Sequence, residues 1–241
     1  MSNQASTPPL QLPDGAVDVW IVDLRASDQA LRAANSLLNH EELTRARRFR
    51  FPNDRRRFVM ARATARQVLG RYLQQTPESL QFEYGDHGKP RLASPSVDLR
   101  FNTSRSAERA LIACTLGREI GVDIEWIGRE LEIDDLAQRF FTTAENIQLQ
   151  KYSPAERHHA FLRCWTCKEA FVKAVGKGLS LGLDQFDVSA GIGDPVAQAP
   201  IKNFVVNGWS ISLFVTGDAD YVSAVAVEKE AVTVRVQDWI E

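Results

Sequence analysis

Two short stretches hold the side chains best suited to chemistry. In GVDIEWI, Gly121 to Ile127, the apolar Val122, Ile124 and Trp126 alternate with Asp123 and Glu125. That period is a strand signal, so the two carboxylates share one face. Side chains two apart on a strand are near enough to hold one divalent cation. Carboxylate oxygens suit Mg2+, which accepts few protein ligands and completes its shell with water and substrate phosphate. In the second stretch, WTCKEAFVKAVGKGL from Trp165 to Leu179, apolar residues recur at helical spacing. On 3.6-residue turns Trp165, Glu169 and Lys173 stack on one side, and Gly176 and Gly178 end the helix. Glu169 thus offers a third carboxylate and Lys173 a cation. Each stretch alone also reads as a solvated acidic strand face or an exposed Glu/Lys pair.

The cations lie earlier in the chain. Arg45, Arg47, Arg48, Arg50, Arg55, Arg56 and Arg57 crowd into 13 positions. Nucleic acid is the obvious partner for such a run. It is disfavoured because the run lacks the stacking aromatics of a single-strand platform, the chain has a formal net charge of −2, and no helix-turn-helix or zinc-finger pattern appears. A small phosphorylated ligand and a solvated face are the remaining readings. Gly88-Lys89-Pro90 puts a point charge on a loop that backbone can approach closely. Phe101-Asn102-Thr103-Ser104-Arg105-Ser106 runs a strand into small hydroxyl residues around a cation, a chemistry suited to phosphate, though Ser and Asn also crowd ordinary turns. Residues 1–118 hold 18 Lys+Arg and 12 Asp+Glu, whereas 119–241 hold 11 and 19. A basic half beside an acidic half suits a cleft with phosphates on one wall and a metal ion on the other.

The elements that must position these groups form a pattern that occurs twice. Val17 to Ile21 begins a strand, Arg48-Phe49 precedes a long helix near Asp54 to Leu73, strand signals follow at 80–84, and Leu99 to Phe101 pairs with Arg109 to Thr115. The plan recurs as Gly121 to Trp126, Arg139-Phe140, a long helix near Glu156 to Val175, a strand signal at Asp184 to Val188, and the runs Trp209 to Val215 and Tyr221 to Val227. Val232 to Val236 reads as one more strand and Gly191 to Pro200 as a loop. The expected fold class is α+β, a pseudo-dimer of two similar α/β subdomains with the site in the cleft between them. Its expected divisions are a flexible tail at 1–16, an N-terminal subdomain at 17–118 and a C-terminal subdomain at 119–241.

The 241 residues can bury a sizeable core. Residues 1–16 lack a secretion-signal pattern, and no apolar run reaches the roughly 18 residues of a membrane span. A cytoplasmic protein is expected, with no membrane partner. Three cysteines, Cys114, Cys164 and Cys167, suggest free thiols. Cys164-Trp-Thr-Cys167 matches C-x-x-C, but it lacks a visible helix N-terminus for redox work and a second ligand pair for zinc. His158 and His159 are adjacent, so on a helix they point different ways.

The ordered set R-R-F, G-K-P, F-N-x-S-x-S, G-V-D-I-E and W-x-x-K-E-A-x-x-K-x-x-G-K-G-L resembles the 4'-phosphopantetheinyl transferases of the Sfp type, over roughly residues 17 to 227. The resemblance implies a monomer with an internal pseudo-two-fold. It also implies transfer of the phosphopantetheine arm of coenzyme A to a serine of an apo acyl or peptidyl carrier protein, with Mg2+, releasing adenosine 3',5'-bisphosphate. It makes Asp123, Glu125 and Glu169 the metal-binding carboxylates and Glu169 a general base. Lys173 would face the pyrophosphate. Arg57, in D-x-x-R, and Arg45 would contact coenzyme A phosphate. Lys89 would belong to the loop around the adenine nucleotide, and Ser104 to the 3'-phosphate site. Arg105 departs from the family's F-N-x-S-H-S; it keeps the positive charge of that His and makes it permanent. The carrier dock is not legible: Leu131, Ile133, Leu136, Phe140 and Phe141 read equally as contacts or core. Fatty-acid, polyketide and peptide carriers are not separated. A non-catalytic carrier-protein adaptor and a nucleic-acid-binding protein are the alternatives.

Overall fold

The computed structural model describes residues 9–192, 201–229 and 233–240. The first half runs Ala16–Asp23 (β1), Asp28–Ser36 (α1), His40–Arg47 (α2), Pro52–Leu73 (α3), Phe82–Tyr84 (β2), Pro90–Leu92 (β3), Leu99–Ser106 (β4) and Arg109–Leu116 (β5). The second runs Ile120–Trp126 (β6), Ile133–Phe140 (α4), Thr143–Leu149 (α5), Pro154–Val175 (α6), Ser189–Ile192 (α7), Ile201–Val206 (β7), Trp209–Phe214 (β8), Tyr221–Glu228 (β9) and Thr233–Asp238 (β10). One sheet has the order β10-β1-β5-β4, the other β6-β9-β8-β7, and β2 and β3 form a separate ribbon. The mixed α+β class expected from the sequence is therefore observed. No helix among the described residues is long and apolar enough to cross a membrane.

Alternation along the strands builds three apolar layers. Trp20 and Val22 of β1 pack with Phe58, Val59 and Leu69 of α3. Val17, Val19 and Ile21 face the other way, onto Val122 and Ile124 of β6 and Val225 and Val227 of β9. On the far side of the second sheet, Ala224 and Ala226 meet Phe161, Ala170 and Ala174 of α6. Both long helices run 22 residues, start with Pro in the first turn, where its missing N–H costs nothing, and stop at a left-handed residue, Gln74 or Gly176.

Several expectations need correction. The C-terminal strand leaves its own half: β10 pairs parallel with β1, and Arg235 donates to both carboxylate oxygens of the buried Asp18 at 2.6 and 2.7 Å. The N-terminal sheet thus includes the chain's last strand. Residues 1–8 and 193–200, and Val232, lie outside the described residues, so neither the tail nor the 191–200 loop is seen whole. Leu10 is bound to the body by its N–H donating to the Arg71 carbonyl at 3.3 Å. The strand signal at 184–188 gives no strand. Lys168 collects the carbonyls of Leu183 and Phe186 at 2.6 and 2.7 Å, and Glu145 accepts the Val188 N–H, so side chains hold the backbone groups a ladder would use. Phe141 is buried, and Leu131, Ile133, Leu136 and Phe140 pack against the same core.

The two sheets meet at β4 and β6. Both are edge strands, and an edge presents unpaired backbone groups. Here side chains at alternate positions of β4 join them. Asn102 Oδ1 accepts the Val122 N–H at 3.0 Å, and the Ser106 hydroxyl accepts the Trp126 N–H at 3.0 Å while donating to Glu125 at 3.2 Å. Asn102 and Val122 are both buried. Asn102→Ala leaves that N–H without an acceptor, and the expected loss of stability is about 1–3 kcal/mol. Urea unfolding would read it as a lower midpoint with an unchanged slope; an unchanged midpoint would mean that the bond does not join the sheets.

Candidate functional site

The face of β6 that carries the carboxylates lies against α6 at unusually close range. A Cβ on Gly121 would fall 2.2 Å from the Ala170 carbonyl oxygen and 2.2 Å from the Ala174 nitrogen, so only glycine permits this approach. Asp123, two residues on, is 4% exposed. Its Oδ1 accepts from Lys173 Nζ at 2.5 Å and from the Ser104 hydroxyl at 2.8 Å, and Lys173 also donates to Ser104 at 2.9 Å. Its Oδ2 is buried and has no hydrogen-bond partner. Glu125, held by Ser106, lies 3.8 Å from Arg129. Burial and the Asp123 charge push the carboxyl pKa of Glu125 above its ordinary value, and the same two causes, in the same order, raise that of Glu169.

Asp123, Glu125, Glu169 and Lys173 therefore share one electrostatic environment, as the alternation in the strand and the four-residue spacing in the helix imply. The closeness expected of a ligand set is absent, since among the described residues no three His, Cys, Asp or Glu side chains form a metal-holding group. Lys173 and Ser104 occupy one oxygen of Asp123, and the Asp123 charge acts on both glutamates. The donors nevertheless fit a hard divalent cation in kind. All three are carboxylates, one presents a buried oxygen without a partner, and two have proton affinities raised by burial and by the Asp123 charge.

On the opposite side of β4 the charge reverses. Arg105 sits over the rings of Phe49 and Phe58 at 5.4 and 5.7 Å, and Arg45 over Phe58 at 5.7 Å. Desolvation, then the Arg45 guanidinium, lowers the pKa of Arg105; Arg57 adds to this and Asp54 opposes it. Arg57 donates to Glu108 and, at 3.3 Å, to Asp54. A cavity of about 250 Å³ is lined by Arg45, Arg62, Tyr84, Thr103, Ser104 and Arg105. Arg62 and Tyr84, joined at 3.2 Å, were not singled out from the sequence. The signal for Arg62 is its place one helical turn after Phe58. Lys89 turns away from this cavity. It donates to Glu119 at 2.7 Å and to the Ala174 carbonyl at 2.8 Å, in the last turn of α6. The helical face read as Trp165 beside charge is partly apolar, because Trp165 stacks on Phe161 at 5.9 Å and meets Phe140 edge-on at 5.7 Å. Cys164 and Cys167 are buried free thiols, their pKa values raised chiefly by burial.

Residues 23–117 match the family model described as 4'-phosphopantetheinyl transferase, N-terminal, and residues 119–226 match that of the 4'-phosphopantetheinyl transferase superfamily. The 4'-phosphopantetheinyl transferase HetI of a Nostoc species is 35% identical over 222 residues, 91% of each chain. The chain belongs to this family. The 4'-phosphopantetheinyl transferase psf-1 of Bacillus pumilus is 31% identical over 92% of each chain. Sfp of Bacillus subtilis is 33% identical over 64% of this chain and 66% of its own. The boundary between the two family models falls at the β5–β6 connection, so the seam stitched by Asn102, Ser104 and Ser106 is where the transferase's two matched regions join.

Gly121 belongs with the site although it carries no chemistry. Gly121→Ala would push β6 away from α6 and carry Asp123 off Lys173. The expected destabilisation is about 1–3 kcal/mol, the usual cost of overpacking. Chemical denaturation measures it, and wild-type stability in this variant would show that the close approach is not required.

Proposed function

We propose that the chain moves the 4'-phosphopantetheine arm of coenzyme A onto a serine of an apo acyl or peptidyl carrier protein, leaving adenosine 3',5'-bisphosphate. Family membership supports the reaction class. The observation that carries the reading onto these residues is the meeting, on the two faces of β4, of a carboxylate group built on Asp123 and a guanidinium group built on Arg105. A nucleotide diphosphate with a further 3'-phosphate needs both: fixed cations for its phosphates, and an acidic group to treat its reacting diphosphate.

In this reading Arg45, Arg57 and Arg105 receive phosphate oxygens, with Ser104 at the 3'-phosphate side. Burial, then the neighbouring Arg45, lowers the Arg105 pKa, and an anion entering here would offset the second of these. Asp123, Glu125 and Glu169 would hold Mg2+, which when bound supplies neutralisation of the nonbridging oxygens and of the leaving group. Lys173, now on Asp123, is placed to turn its ammonium toward the diphosphate. As the serine oxygen forms its bond to the β-phosphorus, the bond to the departing nucleotide oxygen breaks and the serine proton is released. Glu169, the carboxylate of the group carried by the helix, is proposed to take that proton, directly or through a water. The repeat of a sheet with a 22-residue helix supports the pseudo-dimer reading, with the cleft along the β4–β6 seam and one chain acting as a monomer.

The test is mass spectrometry of apo acyl and apo peptidyl carrier proteins incubated with coenzyme A, with Mg2+ or with a chelator. A gain of one phosphopantetheine arm is expected with Mg2+ alone. No gain on either carrier would overturn the transfer reading, and an equal gain in chelator would remove the cation from it.

A further inference from the structure

The turn between α2 and α3 and the helix ends that flank it carry Arg47, Arg48, Arg50 and Arg55, all exposed. Among the described residues none of the four has a carboxylate partner. Arginines next to them in the chain do. Arg56 takes Asp28 at 2.7 Å, Arg57 takes Glu108, and Arg62 and Arg66 share the buried Glu42. These four guanidinium groups thus lack carboxylates while Arg56, Arg57, Arg62 and Arg66 have them; Arg45, also without one, lies over Phe58 at the phosphate side. At the turn Phe51 is 57% exposed, with the Arg50 guanidinium 5.3 Å from its ring. An exposed aromatic with an arginine over its ring and more in the adjoining sequence has the composition of a protein-binding anchor. The turn also borders the site, because Phe49, between Arg48 and Arg50, lies under Arg105, and the neighbouring Ser104 holds Asp123.

We infer that this turn is the surface on which the protein acceptor docks, and that the acceptor presents carboxylates to it. The inference rests on the transfer reading above, which is what requires a protein acceptor. Charge complementarity selects an acidic partner: four unpaired guanidinium groups gain from carboxylates facing them and lose from a basic or neutral surface. Nucleic acid fits less well, because a single exposed ring gives no run of stacking platforms and the chain's net charge is −2. An acceptor seated here would bring a protruding side chain to the seam where Asp123, Glu169 and Lys173 meet.

The experiment compares the full chain with Arg47→Glu/Arg50→Glu and with Phe51→Ala, all exposed positions outside the phosphate and carboxylate groups. One arm measures binding of a fluorescently labelled apo acyl carrier protein by anisotropy, without coenzyme A and over a range of salt. The other measures KM for that carrier and for coenzyme A. The double variant is expected to weaken carrier Kd and raise carrier KM about tenfold or more, to flatten the salt dependence, and to leave the coenzyme A KM within about twofold. Carrier Kd and KM unchanged in the double variant would overturn the inference. If the wild type binds the carrier but transfers nothing, the transfer reading fails and docking is decided by Kd alone. If it does neither, docking falls too. Tighter binding of a single-stranded oligonucleotide than of the carrier, lost in the double variant, would overturn it in favour of nucleic acid.

Discussion

A buried negative charge governs this structure. Asp123 is nearly sealed from solvent, and an ionised carboxylate in that position is costly unless charge and hydrogen bonds meet it. The compensation comes from two other elements, Lys173 of α6 and Ser104 of β4, so a single carboxylate oxygen holds together the strand that carries it, the long helix and the edge of the other sheet. Lys173 also sits in the last turn of α6, where a cation suits the helix dipole. Lys89 reaches the Ala174 carbonyl in that same turn from the β2–β3 connection. The C-terminal end of α6 is thus fixed from both halves of the chain.

The period of two in β4 then separates two chemistries. Asn102, Ser104 and Ser106 point to β6 and its carboxylates, while Phe101 packs with α3 and Arg105 stands over the α3 residue Phe58. On one side an acidic group is left with a buried oxygen lacking a partner, and on the other Arg105 is desolvated and faces Arg45. Each side is short of the charge that the other holds, and only one strand's thickness divides them. A ligand with several phosphates and a metal counter-ion would relieve both at once.

What was legible in the sequence was what local periodicity encodes. Alternation put Asp123 and Glu125 on one face, four-residue spacing put Glu169 above Lys173, and Gly176 marked the helix stop, where its φ is 75°. The family resemblance, carried by motifs whose order no composition reveals, supplied the reaction. What stayed hidden were pairings between distant segments. Ser104 read as a phosphate residue because nothing in F-N-T-S-R-S announces that its side chains replace a missing ladder between two edge strands. Gly121 passed as the start of a strand, since the helix that excludes its Cβ lies some fifty residues on. The resemblance places Lys89 in the loop around the adenine nucleotide, and no local pattern reports its contacts with Glu119 and the Ala174 carbonyl. The parallel pairing of β10 with β1, sealed by Arg235 and Asp18, joins residues 217 positions apart, and no local pattern reports such a contact.

The most direct test of the account is where a divalent cation goes. Crystals grown with coenzyme A and Mn2+ in place of Mg2+ would locate the ion by its anomalous scattering. The account predicts one strong peak bonded to the partnerless Oδ2 of Asp123 and to Glu125 or Glu169, with the Lys173 ammonium turned from Asp123 toward the diphosphate. A peak elsewhere, or Lys173 still closed on Asp123 with nucleotide bound, would contradict it.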